Sequence, residues 1–316
     1  MRVAMTGGGG FIGSHLLARL VGLGIDVTLV GPEIGRSRYT ASLVTAGAVR
    51  FARCDARFAE GDALRRTFEE TDALIMLGCM TPTSSSAVER LLDEIDVNLT
   101  PVARLLRAAL AEGRHVIFAS SDSVYGAPLR NPVRESDATI PRTPFAVAKL
   151  ACEQAVRISC SALGATASIL RYAAVYGPGE TAARPVPDFI RAALAGHPPL
   201  VDDGLEERDY IHVADAVEAT VAALRRRADG VYNVGTGIGT TTIELASLVV
   251  WLTGAKTAPA RSSARESAND RTSLVLDTER ARSDLGFTPR HSLPEGLTEE
   301  IGWFKAQLAG TLRTAA

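Results

Sequence analysis

The segment Thr6-Gly7-Gly8-Gly9-Gly10-Phe11-Ile12-Gly13-Ser14-His15 constrains the fold more than any other stretch of the chain. It follows a short apolar run, Arg2–Thr6, and opens a helical pattern over Phe11–Leu23. Glycines at 7, 10 and 13 give the spacing Gly-x-x-Gly-x-x-Gly. Gly7 permits a tight turn, Gly10 lets the backbone come close to a ligand, and Gly13 lets the helix pack closely on the strand. Backbone N–H groups at the start of that helix, where the macrodipole favours negative charge, form an anion cradle. The expected occupant is the pyrophosphate of a dinucleotide, resting on Gly7, Gly10, Phe11, Ile12 and Gly13. Glycine-rich turns are common, so the triad alone is weak evidence. A strand before it and a helix after it make it specific.

The rest of the first half alternates short apolar runs with longer amphipathic stretches, the pattern of βα units and a parallel sheet. The expected strands are Arg2–Thr6, Asp26–Val30, Val49–Arg53, Ala73–Leu77, His115–Ala119 and Thr166–Leu170. Of the helical patterns between them, Pro101–Ala111 is among the clearest, with Val102, Leu105, Leu106 and Ala109 on one stripe. After Arg171 the texture changes, because Pro178, Pro185, Pro187, Pro198 and Pro199 interrupt the chain. Helical periodicity returns over Leu293–Leu308. The fold class is therefore α/β: a doubly wound, Rossmann-type parallel sheet with a smaller interleaved C-terminal lobe. The dinucleotide-binding domain is expected at 1–170 with a return at 211–235, and the second lobe at 171–210 and 236–316.

With 316 residues the chain is long enough for both parts, and its 46% hydrophobic and 22% charged residues are ordinary for a soluble enzyme. A formal net charge of −2 gives no reason to expect nucleic acid as a partner. Arg225-Arg226-Arg227 reads as a solvated helix end. Cys54, Cys79, Cys152 and Cys160 show no CxxC spacing and no clustered histidines, so no metal and no disulfide framework is expected. No signal peptide and no bilayer-length apolar run is evident, and a cytoplasmic protein without membrane contact is expected.

An acidic residue at the end of the second strand ordinarily accepts hydrogen bonds from an adenosine ribose. Here Gly31 stands there, followed by Pro32 and Glu33. Glu33 can reach for the ribose of NAD; alternatively Arg36 and Arg38 can grip the 2′-phosphate of NADP, since guanidinium groups bind phosphate in bidentate fashion. A solvated loop explains these arginines equally well.

Four further segments carry a resemblance. They are Asp96-Val97-Asn98-Leu99-Thr100, Ser120-Ser121-Asp122-Ser123-Val124-Tyr125-Gly126, Leu170-Arg171-Tyr172-Ala173-Ala174-Val175-Tyr176-Gly177-Pro178-Gly179 and Arg208-Asp209-Tyr210-Ile211-His212-Val213-Ala214-Asp215. Together with the glycine loop, they resemble the extended branch of the short-chain dehydrogenase/reductase family, the NAD-dependent nucleotide-sugar epimerases and dehydratases, over nearly the whole chain. The resemblance implies NAD ahead of NADP, with Asp55 on the adenine and Leu77 on the nicotinamide side. It also implies a nucleotide-diphosphate sugar as partner, with Tyr172 on the substrate and Arg208 on its diphosphate. Arg265, in a loosely matched loop, is a second candidate for that diphosphate. Relatives often dimerise through two helices per subunit, which here would be Pro101–Ala111 and Phe145–Ala162.

The family's chemistry uses a Tyr-x-x-x-Lys pair with a Ser or Thr. The lysine binds the nicotinamide ribose and lowers the tyrosine pKa, and the hydroxyl residue positions the reacting sugar oxygen. Lys149 and Ser121 are in register, but the tyrosine position holds Phe145. Phenylalanine keeps the ring and loses the atom that moves the proton, a group typically worth ~10²–10⁴-fold in rate. Three readings follow. The chain is a variant of a Tyr-bearing enzyme; or Phe is native and another group, Asp122 or Cys79, carries the proton; or the protein binds its ligand and catalyses nothing. Leu77-Gly78-Cys79-Met80 replaces the family's His-x-Ala-Ala, and Ala174 stands where many relatives have Asn. Ser123 after Asp122, where sugar 4,6-dehydratases carry Glu, speaks against dehydration. The resemblance thus implies epimerisation through a keto-sugar, with an NADPH-dependent keto-sugar reductase as the alternative.

Overall fold

A computed structural model describes residues 1–35, 37–58, 62–78, 87–110, 113–202, 204–262 and 273–314. The chain begins β1 (Arg2–Thr6), α1 (Phe11–Gly22), β2 (Asp26–Gly31), α2 (Arg38–Thr45), β3 (Arg50–Arg53), α3 (Asp62–Phe68) and β4 (Ala73–Met76). Next come α4 (Ala87–Glu94), a π-helical turn (Ile95–Leu99), α5 (Thr100–Ala109), β5 (His115–Ser121), α6 (Pro144–Ala162) and β6 (Thr166–Tyr172). The remainder is β7 (Ala174–Tyr176), α7 (Pro185–Leu194), β8 (Leu200–Val201), β9 (Glu207–His212), α8 (Val213–Arg226) and β10 (Gly230–Val234). It closes with β11 (Gly239–Thr241), α9 (Thr242–Thr253), β12 (Ala260–Arg261), α10 (Glu279–Leu285) and α11 (Leu293–Thr314).

Seven strands form one parallel sheet in the order β10-β6-β5-β4-β1-β2-β3. This is the α/β architecture of a Rossmann-type fold. Side chains alternate across each strand, so both faces must be covered. Val3, Met5 and Ile75 join Leu16, Leu17 and Leu20 of α1 and Val217 and Val221 of α8 in one core. Ala4, Leu74, Met76 and Phe118 join Leu105 and Leu106 of α5 and Val156 of α6 in another. The connections leaving β1 and β4 run to opposite sides of the sheet. The crevice where the order reverses, beyond the carboxyl end of β1, is where α/β sheets of this kind take ligands.

The expected strands all occur, and β5 and β6 run two residues further, through Ser121 and Tyr172. The return to the sheet starts later than expected: Ile211 and His212 belong to β9, in a separate three-stranded sheet of order β11-β9-β7. Only after α8 does the chain rejoin the large sheet, as β10. The small sheet is covered by α7, α9 and α11 around Phe189, Ile190, Leu245 and Ile301. Among the described residues, no helix is long and apolar enough to cross a membrane.

Candidate active site

The glycine loop is built by exclusion. Gly7 has φ +75°, the left-handed region that favours glycine, and a Cβ there would lie 2.6 Å from the backbone nitrogen of Gly78. A Cβ on Gly13 would lie 2.0 Å from the carbonyl oxygen of Gly7, and one on Gly9 would strike the backbone of Ile34 and Gly35. Gly10 is different: its Cβ would meet only the Gly7 oxygen, at 3.4 Å, so its outer side is open. Backbone thus converges beneath the first turn of α1 and leaves the space in front of it free. That cradle fits a dinucleotide pyrophosphate.

Leu77 and Gly78 back directly onto Gly7. Phe11 opens α1 and stands edge-on to His15, with ring centroids 5.9 Å apart, while Ile12 packs onto the core. Glu33 and Arg38 are exposed, Glu33 just past β2 and Arg38 at the head of α2. Asp55 is clamped by Arg57, whose Nε and Nη2 donate to its carboxylate at 2.9 and 2.6 Å, and these hydrogen bonds hold its pKa below the usual range. Arg36, Cys79 and Arg265 lie outside the described residues.

At the reacting end, Thr143 caps α6 by accepting from the Ala146 N–H at 3.2 Å, and Pro144 occupies the first turn. That start sets Phe145 and Lys149 one turn apart on the same face. The Lys149 ammonium is buried, donates to the Ala119 carbonyl at 2.7 Å, and lies 5.1 Å from the Phe118 ring centre and 5.7 Å from that of Phe145. Aromatic faces and a carbonyl hold the cation here.

Asp122 follows Ser121 directly. The Ser121 hydroxyl donates to Asp122 Oδ1 at 3.1 Å and accepts from the Ser123 N–H at 3.2 Å. Asp122 keeps partial exposure, yet its carboxyl is crowded enough that desolvation raises its pKa to about 6, with the Arg208 charge and the Ser121 hydrogen bond opposing. The Arg208 charge, at β9, thus acts on a carboxyl just past the end of β5.

Tyr172 requires a correction. Expected on the substrate, it turns into the core instead, where it is 4% exposed and its hydroxyl shares a 2.6 Å hydrogen bond with Thr220 of α8. The strand's alternation put this side chain on the α8 face.

Sequence reasoning gave no role to the network behind the Ser121 segment. Glu153 of α6 is fully buried and takes a bidentate contact from Arg171 of β6 at 3.0 and 2.7 Å, and also accepts from the Ser120 hydroxyl. The Arg171 guanidinium covers the Tyr125 ring at 4.7 Å, and Tyr125 donates to Asn233 of β10 at 2.7 Å. A buried ion pair loses about 3–5 kcal/mol when one partner is removed, so this network locks Ser120–Tyr125 in place. Charged residues inside an otherwise apolar strand and helix were the available signal. Glu94 is also buried, without that signal in its charged helix: it is 4% exposed, accepts from Asn98 Nδ2 at 2.5 Å at the π-helical turn, and has its pKa raised by burial.

Residues 3–235 match the NAD dependent epimerase/dehydratase family, and the chain belongs to that family. It is 34% identical to a UDP-glucose 4-epimerase of Azospirillum brasilense, over 96% of this chain and 91% of that protein. It is 33% identical to a UDP-glucose 4-epimerase of Mycolicibacterium smegmatis, over 96% and 99%. A crystal structure of Thermotoga maritima UDP-glucose 4-epimerase with UDP-glucose superposes with a TM-score of 0.83 at 27% identity, covering 98% of this chain and all of the other.

Proposed function

We propose that the chain is an NAD-dependent nucleotide-sugar epimerase in which Asp122 carries the proton that relatives of this kind assign to a tyrosine. The observation that carries this reading is the Asp122 carboxyl. Beside Ser121 and within electrostatic reach of Arg208, it has a pKa brought to about 6, where a carboxylate serves as a general base near neutral pH. The glycine cradle would take the cofactor's pyrophosphate, and Lys149 would hold its nicotinamide ribose. NAD, when bound, supplies the hydride acceptor and returns the hydride afterwards. Ser121 orients the sugar hydroxyl, Asp122 takes its proton as the carbon is oxidised, and the same proton goes back when the other face of the keto-sugar is reduced. Arg208 anchors the diphosphate by charge-assisted hydrogen bonds. Phe145 shapes the pocket and supplies no proton.

The test is to incubate the protein with UDP-glucose or UDP-galactose and NAD, follow sugar interconversion, and titrate NADH and NADPH in parallel. Interconversion without net NADH, with NADH bound more tightly than NADPH, is the expected result. Net consumption of NADPH with a keto-sugar would establish the reductase instead. Tight binding of the UDP-sugar without turnover would establish a binding protein.

A homodimer is part of this proposal, with a changed surface. The apolar stripe of α5 faces its own core, whereas Val88, Leu92 and Ile95 of α4 and its π-helical turn are exposed, as are Val147 and Ile158 of α6. Two copies meeting through α4 and α6 would bury this patch. Sedimentation should give twice the chain mass, and Leu92→Glu with Ile158→Glu should give the monomer. A native monomer would reject the proposal.

A further inference from the structure

Gly7, Gly8, Gly9 and Gly10 stand in succession after β1, and none has a side chain with which to hold its shape. Glycine loses more backbone freedom on ordering than any other residue, so such a loop keeps one conformation where its surroundings impose it. Its own closure is a turn, in which the Gly10 N–H donates to the Gly7 carbonyl at 3.1 Å. That bond leaves the middle peptide, Gly8–Gly9, undecided. Type I and type II turns share it and differ by a half-rotation of the middle peptide, and glycine at the third position admits both. Gly7 takes a positive φ and Gly9 does not, so the turn here is not type II.

The side chain that meets this peptide comes from α2. Thr40 is fully buried, and its hydroxyl donates to the Gly8 carbonyl at 2.9 Å. A threonine inside a helix ordinarily bonds a carbonyl of the preceding turn. Thr40 lies in the first turn of α2, where no such helical carbonyl exists, and its hydroxyl reaches outward instead. Ser37 seats it there, capping α2 by accepting from the Thr40 N–H at 3.2 Å. The segment leading into α2 presses on the same loop: a Cβ on Gly35, at φ +94°, would lie 2.7 Å from Gly9 Cα, and one on Gly9 would strike the Ile34 carbonyl. A Cβ on Gly8 would lie 2.7 Å from Leu29 Cδ1 of β2. These contacts exclude side chains from the loop, but packing does not tell a carbonyl from an N–H. The hydroxyl hydrogen of Thr40 does: in its buried place it needs an acceptor, which the Gly8 carbonyl supplies and a half-rotation would replace with an N–H.

We propose that Thr40 is a positioning residue for the cofactor: its hydroxyl selects one orientation of the Gly8–Gly9 peptide and presets the loop that takes the pyrophosphate. The inference rests on the dinucleotide reading of that loop. The peptide directly precedes Gly10, the N-cap of α1, whose first N–H groups would receive the phosphates. A half-rotation reverses its dipole at the edge of that anion cradle. Without the Thr40 hydroxyl, the Gly8 carbonyl is better served by turning toward water. Binding the cofactor must then return it to the buried orientation. The cost is near that of one unpaired buried carbonyl, about tenfold in affinity.

The test compares Thr40→Val, which swaps the hydroxyl for a methyl of like size, with Thr40→Ser, which keeps the hydroxyl. NADH affinity of the full chain, followed by fluorescence, should fall about tenfold in Thr40→Val and stay within about twofold of native in Thr40→Ser. The fall should be equal at pH 6.5 and 8.5, because neither hydroxyl nor carbonyl titrates between them. UDP affinity should stay at the native level in both variants, whereas a change that merely loosened the fold would weaken both ligands. Thr40→Ala gives the same comparison should Thr40→Val fail to fold. Native NADH affinity in a folded Thr40→Val, equal losses in the Val and Ser variants, or a parallel loss of UDP overturns the role. Amide exchange of residues 8–13 without cofactor keeps this result apart from the reading beneath it. If the native chain binds no NADH, the proposed function falls. Exchange that quickens in Thr40→Val and not in Thr40→Ser would still establish that Thr40 holds the loop, and equal exchange in all three chains would overturn it.

Discussion

Phe145→Tyr should raise turnover of a UDP-hexose at least ~10²-fold above the chain as it stands, the lower end for a positioned acid–base group. The geometry is prepared for it. The Phe145 ring centre is already 5.7 Å from the Lys149 ammonium on the same helix face, so a para hydroxyl would enter the field of a buried cation. That field favours the phenolate and brings the proton into a useful range. The assay must follow both sugars, since an epimerase leaves no net NADH. A variant no faster than the parent, with cofactor affinity unchanged, would show that the hydroxyl finds no place beside the reacting carbon.

Asp122→Asn should lower turnover by ~10²–10⁴-fold. The accompanying pH signature separates chemistry from damage. A base must be ionised to act, and burial brings the Asp122 carboxyl to about 6, so native kcat/KM should fall as pH drops through about 6. In Asp122→Asn that limb should vanish, with NADH affinity intact. In the Phe145→Tyr background the same substitution should cost much less, because the phenol supplies a second route for the proton. An Asp122→Asn protein with full activity and an unchanged pH profile would remove Asp122 from the mechanism.

The parallel sheet was readable because each strand carries its own short apolar run and the glycine loop fixes where β1 ends and α1 begins. Gly7 and Gly13 were legible for the same reason: only a missing Cβ satisfies their contacts. Phe145 and Lys149 could be placed together from helical spacing alone. Tyr172 could not be oriented by motif, because its direction is set by strand parity and by a partner, Thr220, far along the chain. The Glu153–Arg171 pair was equally hidden. It joins a helix to the strand that follows it, and a charged residue in isolation does not declare whether it will be buried. The late return to the large sheet was missed because Ile211 and His212 continue an apolar run whose sheet is chosen by β7, not by its own residues.

The position of β10 has a consequence for how the molecule is made. This strand pairs with β6 along its whole length, from Gly230↔Ser168 to Val234↔Tyr172, yet β7, α7, β8, β9 and α8 are all synthesised between them. At a ribosomal pace of roughly 5–20 residues per second, β6 emerges several seconds before its outer neighbour exists. Throughout that interval its edge presents unpaired N–H and C=O groups, a template for another chain. Arg171 of this same strand, which pairs with Glu153 of α6, is an inward-pointing charge of the kind that discourages foreign pairing. Vectorial synthesis therefore leaves the large sheet one strand short until residue 234 has cleared the exit tunnel, and a nascent-chain chaperone would find its clearest target there.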